Sequence, residues 1–405
     1  MKICPFCHMG SVITVKIQAD LRPYTDRQTI RLCDECEGIW RMDEPVSAQT
    51  GSGLHMLAEM LSVPEQTLWD HMEILETRLL KGETIGVFSP SWGVTHDAPE
   101  AAERAVQFIE AAGYHVRRGS LWGSADAYRS GSAKARAEEF NALVQDDGVD
   151  CLMAAAGGYV TNGMLPFIDF DAYAKNPKPV IGMSDVTALL LALYAKTGFP
   201  VYYGPNFVTG FARRSPYREI TLQAMLNAVN FEGRYVQQSP CILSAPEHYS
   251  DETIQWEKPL SAEKRIPNQL VTVRGGKAKG RLIGGNFCTL FPLLDTPYMP
   301  EIREGDILFL EDTEVWAGFI ERCAAWLHQS GIFGKIGGLM IGKHRQFDAS
   351  GTGKKVYEIF ADIIGDADFP ILAECDFGHC APMLTVPIGI TAELDADART
   401  LRLIR

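Results

Sequence analysis

The chain has 405 residues, 46% apolar and 22% charged, a globular composition with ample material for a core and a length that suits two or three domains. Its 38 Lys and Arg stand against 51 Asp and Glu, and the resulting net charge of −13 disfavours bulk binding to phosphate backbones. No apolar run reaches the ~20 residues of a membrane helix, and Met1-Lys-Ile-Cys-Pro-Phe-Cys7 lacks the apolar core of a signal peptide, so a soluble, cytoplasmic protein without membrane contact is expected.

Four of the ten cysteines fall in the first 36 residues, as Cys4-x-x-Cys7 and Cys33-x-x-Cys36. In a reducing cytosol, two such turns point four thiolates at one ion, the donor set of a tetrahedral structural zinc. Ser11 to Gln18 and Thr29 to Leu32 read as short strands between them, the layout of a zinc ribbon. His8 is a possible substitute ligand, and a thioredoxin-like redox pair would need a βαβ context that this segment lacks. The run Cys33-Asp-Glu-Cys-Glu-Gly-Ile-Trp-Arg-Met-Asp-Glu44 resembles zinc ribbons of the general-transcription-factor-B type. That resemblance implies a zinc-stapled module over 1–45, with the metal supplying most of its folding free energy.

Residues 46–82 begin with a small, polar linker. From Leu54 to Leu80, apolar residues recur at three- and four-residue steps, which predicts one or two amphipathic helices broken near Pro64. Their apolar face needs the main body or a second subunit to cover it. From Glu83 short apolar strands (84–88, 114–118, 151–156, 179–183, 201–203) alternate with helices (98–112, 133–145, 185–196). This predicts an α/β domain over 83–235 with a parallel sheet covered on both faces. Strand candidates at 270–273, 280–282, 307–311, 338–342 and 400–404, with a helix near 319–329, suggest a second α/β domain over 236–405 and a cleft between the two.

In such sheets the chemistry sits at the carboxyl ends of strands. Ser184 stands where a buried strand runs straight into a helix, in Val180-Ile-Gly-Met-Ser-Asp-Val-Thr. That corner has the geometry of a nucleophile elbow, although Val186 occupies the place of the usual second glycine; the plainer reading is a helix cap. Gly157-Gly158-Tyr159 ends the preceding strand and could present further amides, or be an ordinary tight turn. Glu311 ends the apolar strand Ile307-Leu-Phe-Leu-Glu, where a carboxylate is costly unless paired. His379 lies in a loop confined by Gly378 and two prolines. Together these are the parts of an acyl-transfer triad.

The blocks Gly157-Gly-Tyr, Asn176-Pro-Lys-Pro-Val-Ile-Gly-Met-Ser-Asp-Val-Thr, Gly204-Pro, Leu310-Glu-Asp and Phe377-Gly-His-Cys-Ala-Pro resemble, in order, those of the LD-carboxypeptidase family of serine peptidases. The resemblance spans roughly 83–405. It implies Ser184 as nucleophile, His379 as general base and acid, Glu311 orienting the imidazole, and the amides of Asp185 and Gly158 as the oxyanion hole. No cofactor is implied for catalysis, and a homodimer is. The segments Pro246 to Trp256, Gly280 to Asn286 and Gly338 to Lys343 resemble the microcin C immunity branch, which hydrolyses a bond joining a peptide or amino acid to a nucleotide moiety. Trp256 would then stack on a purine, or else anchor its loop. The other branch cleaves the LD-amide before the terminal D-alanine of muropeptides. A third reading, from outside enzymology, is a zinc-ribbon sensor or adaptor that binds such ligands without turnover. The N-terminal ribbon departs from the family's usual pattern.

Overall fold

A computed structural model describes residues 2–3, 5–8, 11–17, 29–33, 35–41, 47–70, 72–74, 78–231, 243, 245–260 and 262–404. The expected first domain is present as a six-stranded sheet in the order Val386–Ile388, Val201–Tyr203, Val180–Gly182, Cys151–Ala154, Thr84–Phe88, His115–Arg118. Five of these strands run parallel, and Val386–Ile388 closes the edge antiparallel to Val201–Tyr203. That edge strand comes from the C-terminal half, so the chain returns to the first sheet after building the second. The helix Thr187–Thr197 has leucine and alanine on every face, and all but two of its eleven residues are buried; a helix apolar all round belongs inside.

The second sheet has seven strands, ordered Val271–Arg274, Ile371–Cys375, Gly338–Gly342, Ile307–Glu311, Lys277–Asn286, Thr391–Asp395, Thr400–Ile404. Its middle four are parallel and its flanks antiparallel. Periodicity located Ile307–Glu311, Gly338–Gly342 and Thr400–Ile404 to the residue. It left out Ile371–Cys375, Val386–Ile388, Thr391–Asp395 and the helix Val356–Ile364. One continuous core joins the two sheets, running from Phe88 and Leu190 to Leu308 and Phe360.

At the N-terminus Ser11–Ile17, Thr29–Cys33 and Gly38–Arg41 form an antiparallel meander, as the ribbon reading expects of its strands. The helices Leu54–Leu61 and Glu65–Asp70 do break at Pro64. The helical pattern does not continue, because Met72–Ile74 is a strand paired with Ser11–Ile17. The apolar helix face is covered within its own module: Leu54, Leu57, Ala58 and Leu68 pack on Val15, Ile17, Ile30, Leu32 and Ile39. Among the described residues no helix is long and apolar enough to cross a membrane.

Glu139, on the helix Ala133–Gln145, is buried beneath the first sheet's loops, where it accepts hydrogen bonds from the Ser89 amide at 2.6 Å and the Leu121 amide at 2.7 Å. Burial pushes its carboxyl up from 4.5 to about 7, against the pull of those two amides. A raised pKa means the folded state binds the extra proton, so this group's contribution is complete below pH 4.5 and is lost as pH rises through about 7. The wild type is therefore expected to lose up to about 3 kcal/mol of stability from this one group across that window. Urea denaturation of Glu139→Gln at a series of pH values should show that part of the slope removed.

Candidate active site

The strand Val180–Gly182 ends two residues before Ser184, and the chain turns through Ser184–Val186 into the helix Thr187–Thr197. Ser184 has φ 61°, a left-handed conformation that costs a side-chain-bearing residue about 1–3 kcal/mol and is the mark of an elbow. The missing second glycine is explained by Gly182: a Cβ there would sit 2.6 Å from Val186 Cγ1, so the close approach is made before the serine. The Ser184 amide donates to the Tyr203 hydroxyl at 3.0 Å. Asp185 turns its buried carboxylate away from the cleft, where Oδ2 accepts from the amides of Val160 (2.7 Å) and Thr161 (2.8 Å) and from the Thr161 hydroxyl (2.8 Å). Ser91 Oγ accepts from the amides of Tyr159 and Val160, which holds the Gly157-Gly158 turn flat against the elbow.

Across the domain boundary Glu311 is fully buried at the end of its strand. Its Oε2 accepts from His379 Nδ1 at 2.8 Å and from the His379 amide at 3.3 Å. Its Oε1 accepts from the Tyr203 hydroxyl and from Asn286 Nδ2 at 3.2 Å. Asn286 is in reach because it is the cross-strand register partner of Glu311. Gly378 adopts φ 100° directly over the carboxylate, and any side chain there would collide with Glu311 Oε2. Burial alone would push the Glu311 carboxyl up; the His379 charge and the bonds from His379, Tyr203 and Asn286 outweigh it and hold the group below its ordinary value. Burial and the Glu311 charge keep the Tyr203 phenol far above its usual range, so it is a neutral donor. With Nδ1 as the donor to Glu311, Nε2 is left as the acceptor of the His379 ring. The adjacent Asp312 is also buried, and burial followed by the Glu311 charge raises its carboxyl.

Ser184, Gly158, His379 and Trp256 line one cleft of about 190 Å³, together with Trp92, Arg213 and Arg345. The structure therefore brings the serine, the glycine turn and the histidine to one surface, with Glu311 behind the imidazole. Trp256 fits both readings offered for it: it is 9% exposed and packs into the core, yet it borders the cleft, with the Arg213 guanidinium 5.7 Å over its ring. Of the cysteines expected to hold metal, Cys7, Cys33 and Cys36 lie in the N-terminal module. Cys4 is outside the described residues; the Sγ atoms of Cys7, Cys33 and Cys36 lie within 4.8 Å of one another. Tyr203 and Asn286 were not identified in the sequence as supports of the acid, and neither has a local signal beyond sitting at the end of a strand.

Residues 85–204 match the LD-carboxypeptidase N-terminal domain, and residues 279–394 match the LD-carboxypeptidase C-terminal domain. The chain is 38% identical over 330 residues to the microcin C7 self-immunity protein MccF of Escherichia coli, a match covering 81% of this chain and 95% of that protein. It is similar to the solved structures of MccF in complex with glutamyl sulfamoyl guanosine and with aspartyl sulfamoyl adenosine, each at 37% identity and a TM-score of 0.78. Those matches cover 82% of this chain and 98% and 99% of the respective solved chains. With both halves matched in order and four-fifths of the chain aligned, the protein belongs to the LD-carboxypeptidase family of serine peptidases.

Proposed function

We propose that the protein is a serine carboxypeptidase that hydrolyses the amide-type bond between an aminoacyl or small peptidyl group and a nucleotide moiety. The observation that carries this reading is His379 held by a buried Glu311 on the same cleft as the left-handed Ser184. Ser184 Oγ attacks the scissile carbonyl and passes its proton to His379 Nε2; the amides of Gly158 and Asp185 stabilise the oxyanion. His379 then gives that proton to the leaving nitrogen, and a water, deprotonated in turn by His379, releases the acyl group from the serine. Glu311 holds the imidazole in the required tautomer and stabilises its cation. The MccF complexes with glutamyl and aspartyl sulfamoyl nucleosides favour an aminoacyl nucleotide, for which Trp256 offers a stacking face.

Cleavage of the muropeptide LD-amide is the alternative within the family. A ligand sensor is the alternative outside it, but a sensor has no use for a strained serine on one cleft with a histidine backed by a buried acid. In the N-terminal module, Cys7, Cys33 and Cys36, with Cys4 as the fourth thiolate, fit a structural zinc, which would staple the meander and take no part in catalysis. The same reading carries a cytoplasmic homodimer, whose assembly is measured by sedimentation.

Ser184→Ala should abolish release of the nucleotide from glutamyl sulfamoyl adenosine, a loss of about 10³-fold or more, with circular dichroism unchanged. Turnover by that variant at the wild-type rate would remove the assignment, and wild-type cleavage of a muropeptide tetrapeptide alone would select the other branch. Tyr203→Phe strips a donor from Glu311 and an acceptor from the Ser184 amide, and should lower kcat about tenfold with KM nearly unchanged. Elemental analysis of the purified full-length chain should find one zinc per chain, lost in Cys33→Ser; a metal content that this substitution leaves unchanged would exclude the site.

A further inference from the structure

The helix Ala133–Gln145 buries two charged side chains, Arg136 and Glu139, against the loop that follows the strand Thr84–Phe88. Glu139 takes the Ser89 amide of that loop. Arg136 is 2% exposed and is held by backbone carbonyls. Its Nε donates to the Gly131 carbonyl at 3.0 Å, and its Nη1 donates both to the Pro90 carbonyl and to the Val160 carbonyl, the latter at 2.9 Å. Burial, followed by the Arg129 charge, pulls the guanidinium below its ordinary value, with Asp185 as its foremost support. A cation so deeply buried is costly to keep, and what its position supplies is a junction between two loops. Those loops follow the adjacent parallel strands Thr84–Phe88 and Cys151–Ala154. Both reach the cleft, one through Trp92 and the other through Gly157 and Gly158.

Little of the first loop is left unheld. The Ser89 carbonyl accepts from the Ser130 hydroxyl at 2.6 Å, and the Ser91 carbonyl accepts from the Ser130 amide at 2.7 Å. The Trp92 amide donates to the Gly157 carbonyl at 3.0 Å, and Ser91 Oγ takes the Tyr159 and Val160 amides. Val160 is gripped from two sides, since Asp185 takes its amide and Arg136 its carbonyl. Arg136 comes from outside both loops and bonds to each of them. Its Nη1 carries two hydrogens, one for each carbonyl, and the planar guanidinium fixes the angle between them.

We propose that Arg136 is a positioning residue: by holding the Pro90 and Val160 carbonyls together it sets the Gly157-Gly158 turn, and with it the angle at which the Gly158 amide meets the oxyanion formed at Ser184. This rests on the reading that Ser184 is the nucleophile and that the Gly158 amide belongs to the oxyanion hole. A turn that is slightly misplaced still admits substrate but stabilises the transition state less, so the loss falls on kcat.

The full-length wild type and its variants are compared in two assays: steady-state hydrolysis of glutamyl sulfamoyl adenosine, and modification by an alkyl fluorophosphonate. In the second, Ser184 Oγ bonds to phosphorus, fluoride leaves, and the serine proton passes to His379, while the phosphoryl oxygen takes the place of the oxyanion. Arg136→Met should lower kcat and the modification rate together by about tenfold or more, with KM within about twofold. Arg136→Lys should fall between the two, because one ammonium cannot hold both carbonyls at a fixed angle. Ser130→Ala removes a buried hydrogen bond from the same loop without touching the Pro90 or Val160 carbonyl. It should lower thermal stability and leave both rates within about twofold, which separates positioning from destabilisation. Should Arg136→Met fail to fold, Arg136→Lys decides: slowed rates at unchanged KM sustain the proposal. Wild-type rates in Arg136→Lys, a slowing that Ser130→Ala matches, or a change confined to KM overturns it. A wild type left unmarked at Ser184 removes the nucleophile and this role with it. A marked Ser184 whose rate Arg136→Met leaves unchanged removes the role of Arg136 alone.

Discussion

The Glu311 carboxylate is the point on which the rest of the site is hung. Taking such a charge out of water costs several kcal/mol, and it is tolerated only where fixed donors replace the lost solvent. Here the donors come from three separate parts of the chain: the Tyr203 phenol from the first sheet, the Asn286 amide from the neighbouring strand of the second, and His379 from the loop that leads back to the first sheet. The Tyr203 phenol reaches the acid only when both sheets are formed and docked. The Tyr203 hydroxyl also receives the Ser184 amide, so the elbow that carries the serine and the acid that steadies the histidine share one oxygen. Displacing either sheet would disturb both halves of the site at once.

Around this centre, buried charge is rationed. Asp312 sits beside Glu311 and is satisfied by Asn286 Nδ2, the Cys288 amide and the Thr313 amide, and burial followed by the Glu311 charge raises its carboxyl. Further along, Asp376 is fully buried and paired with Lys343 at 2.8 Å, and its carboxylate also takes two hydrogen bonds from Asn268. That pair pins the start of the loop that carries His379, opposite the end pinned by the edge strand Val386–Ile388. Glu311 stands behind the imidazole, with Asp312 next to it, and the guanidiniums of Arg213 and Arg345 line the cleft in front.

Much of the candidate site was legible because its proposed residues announce themselves locally. A polar residue at the junction of an apolar strand and a helix marked Ser184, an acid at the end of a wholly apolar strand marked Glu311, and a histidine between a glycine and prolines marked His379. The supporting residues had no such mark. Tyr203 is one of several aromatics in apolar strands, and its part in the site follows from lying opposite Gly182 in the register of two parallel strands. Asn286 ends an ordinary strand and acquires its task from pairing with Glu311. The same limit produced the errors of secondary structure. The strand Met72–Ile74 exists only because Ser11–Ile17, far away in sequence, offers it an edge, and Val386–Ile388 leaves its own domain to complete another sheet.

Alternation of apolar and polar residues, breaker positions and a few ordered blocks were enough to determine an α/β peptidase with a cysteine-rich module ahead of it, because those signals act over a few residues of chain. Which side chains meet was decided by tertiary structure alone. Strand register, the docking of two sheets on a shared core and the return of the chain to its first sheet bring residues more than a hundred positions apart within hydrogen-bonding distance, and no local pattern encodes that approach.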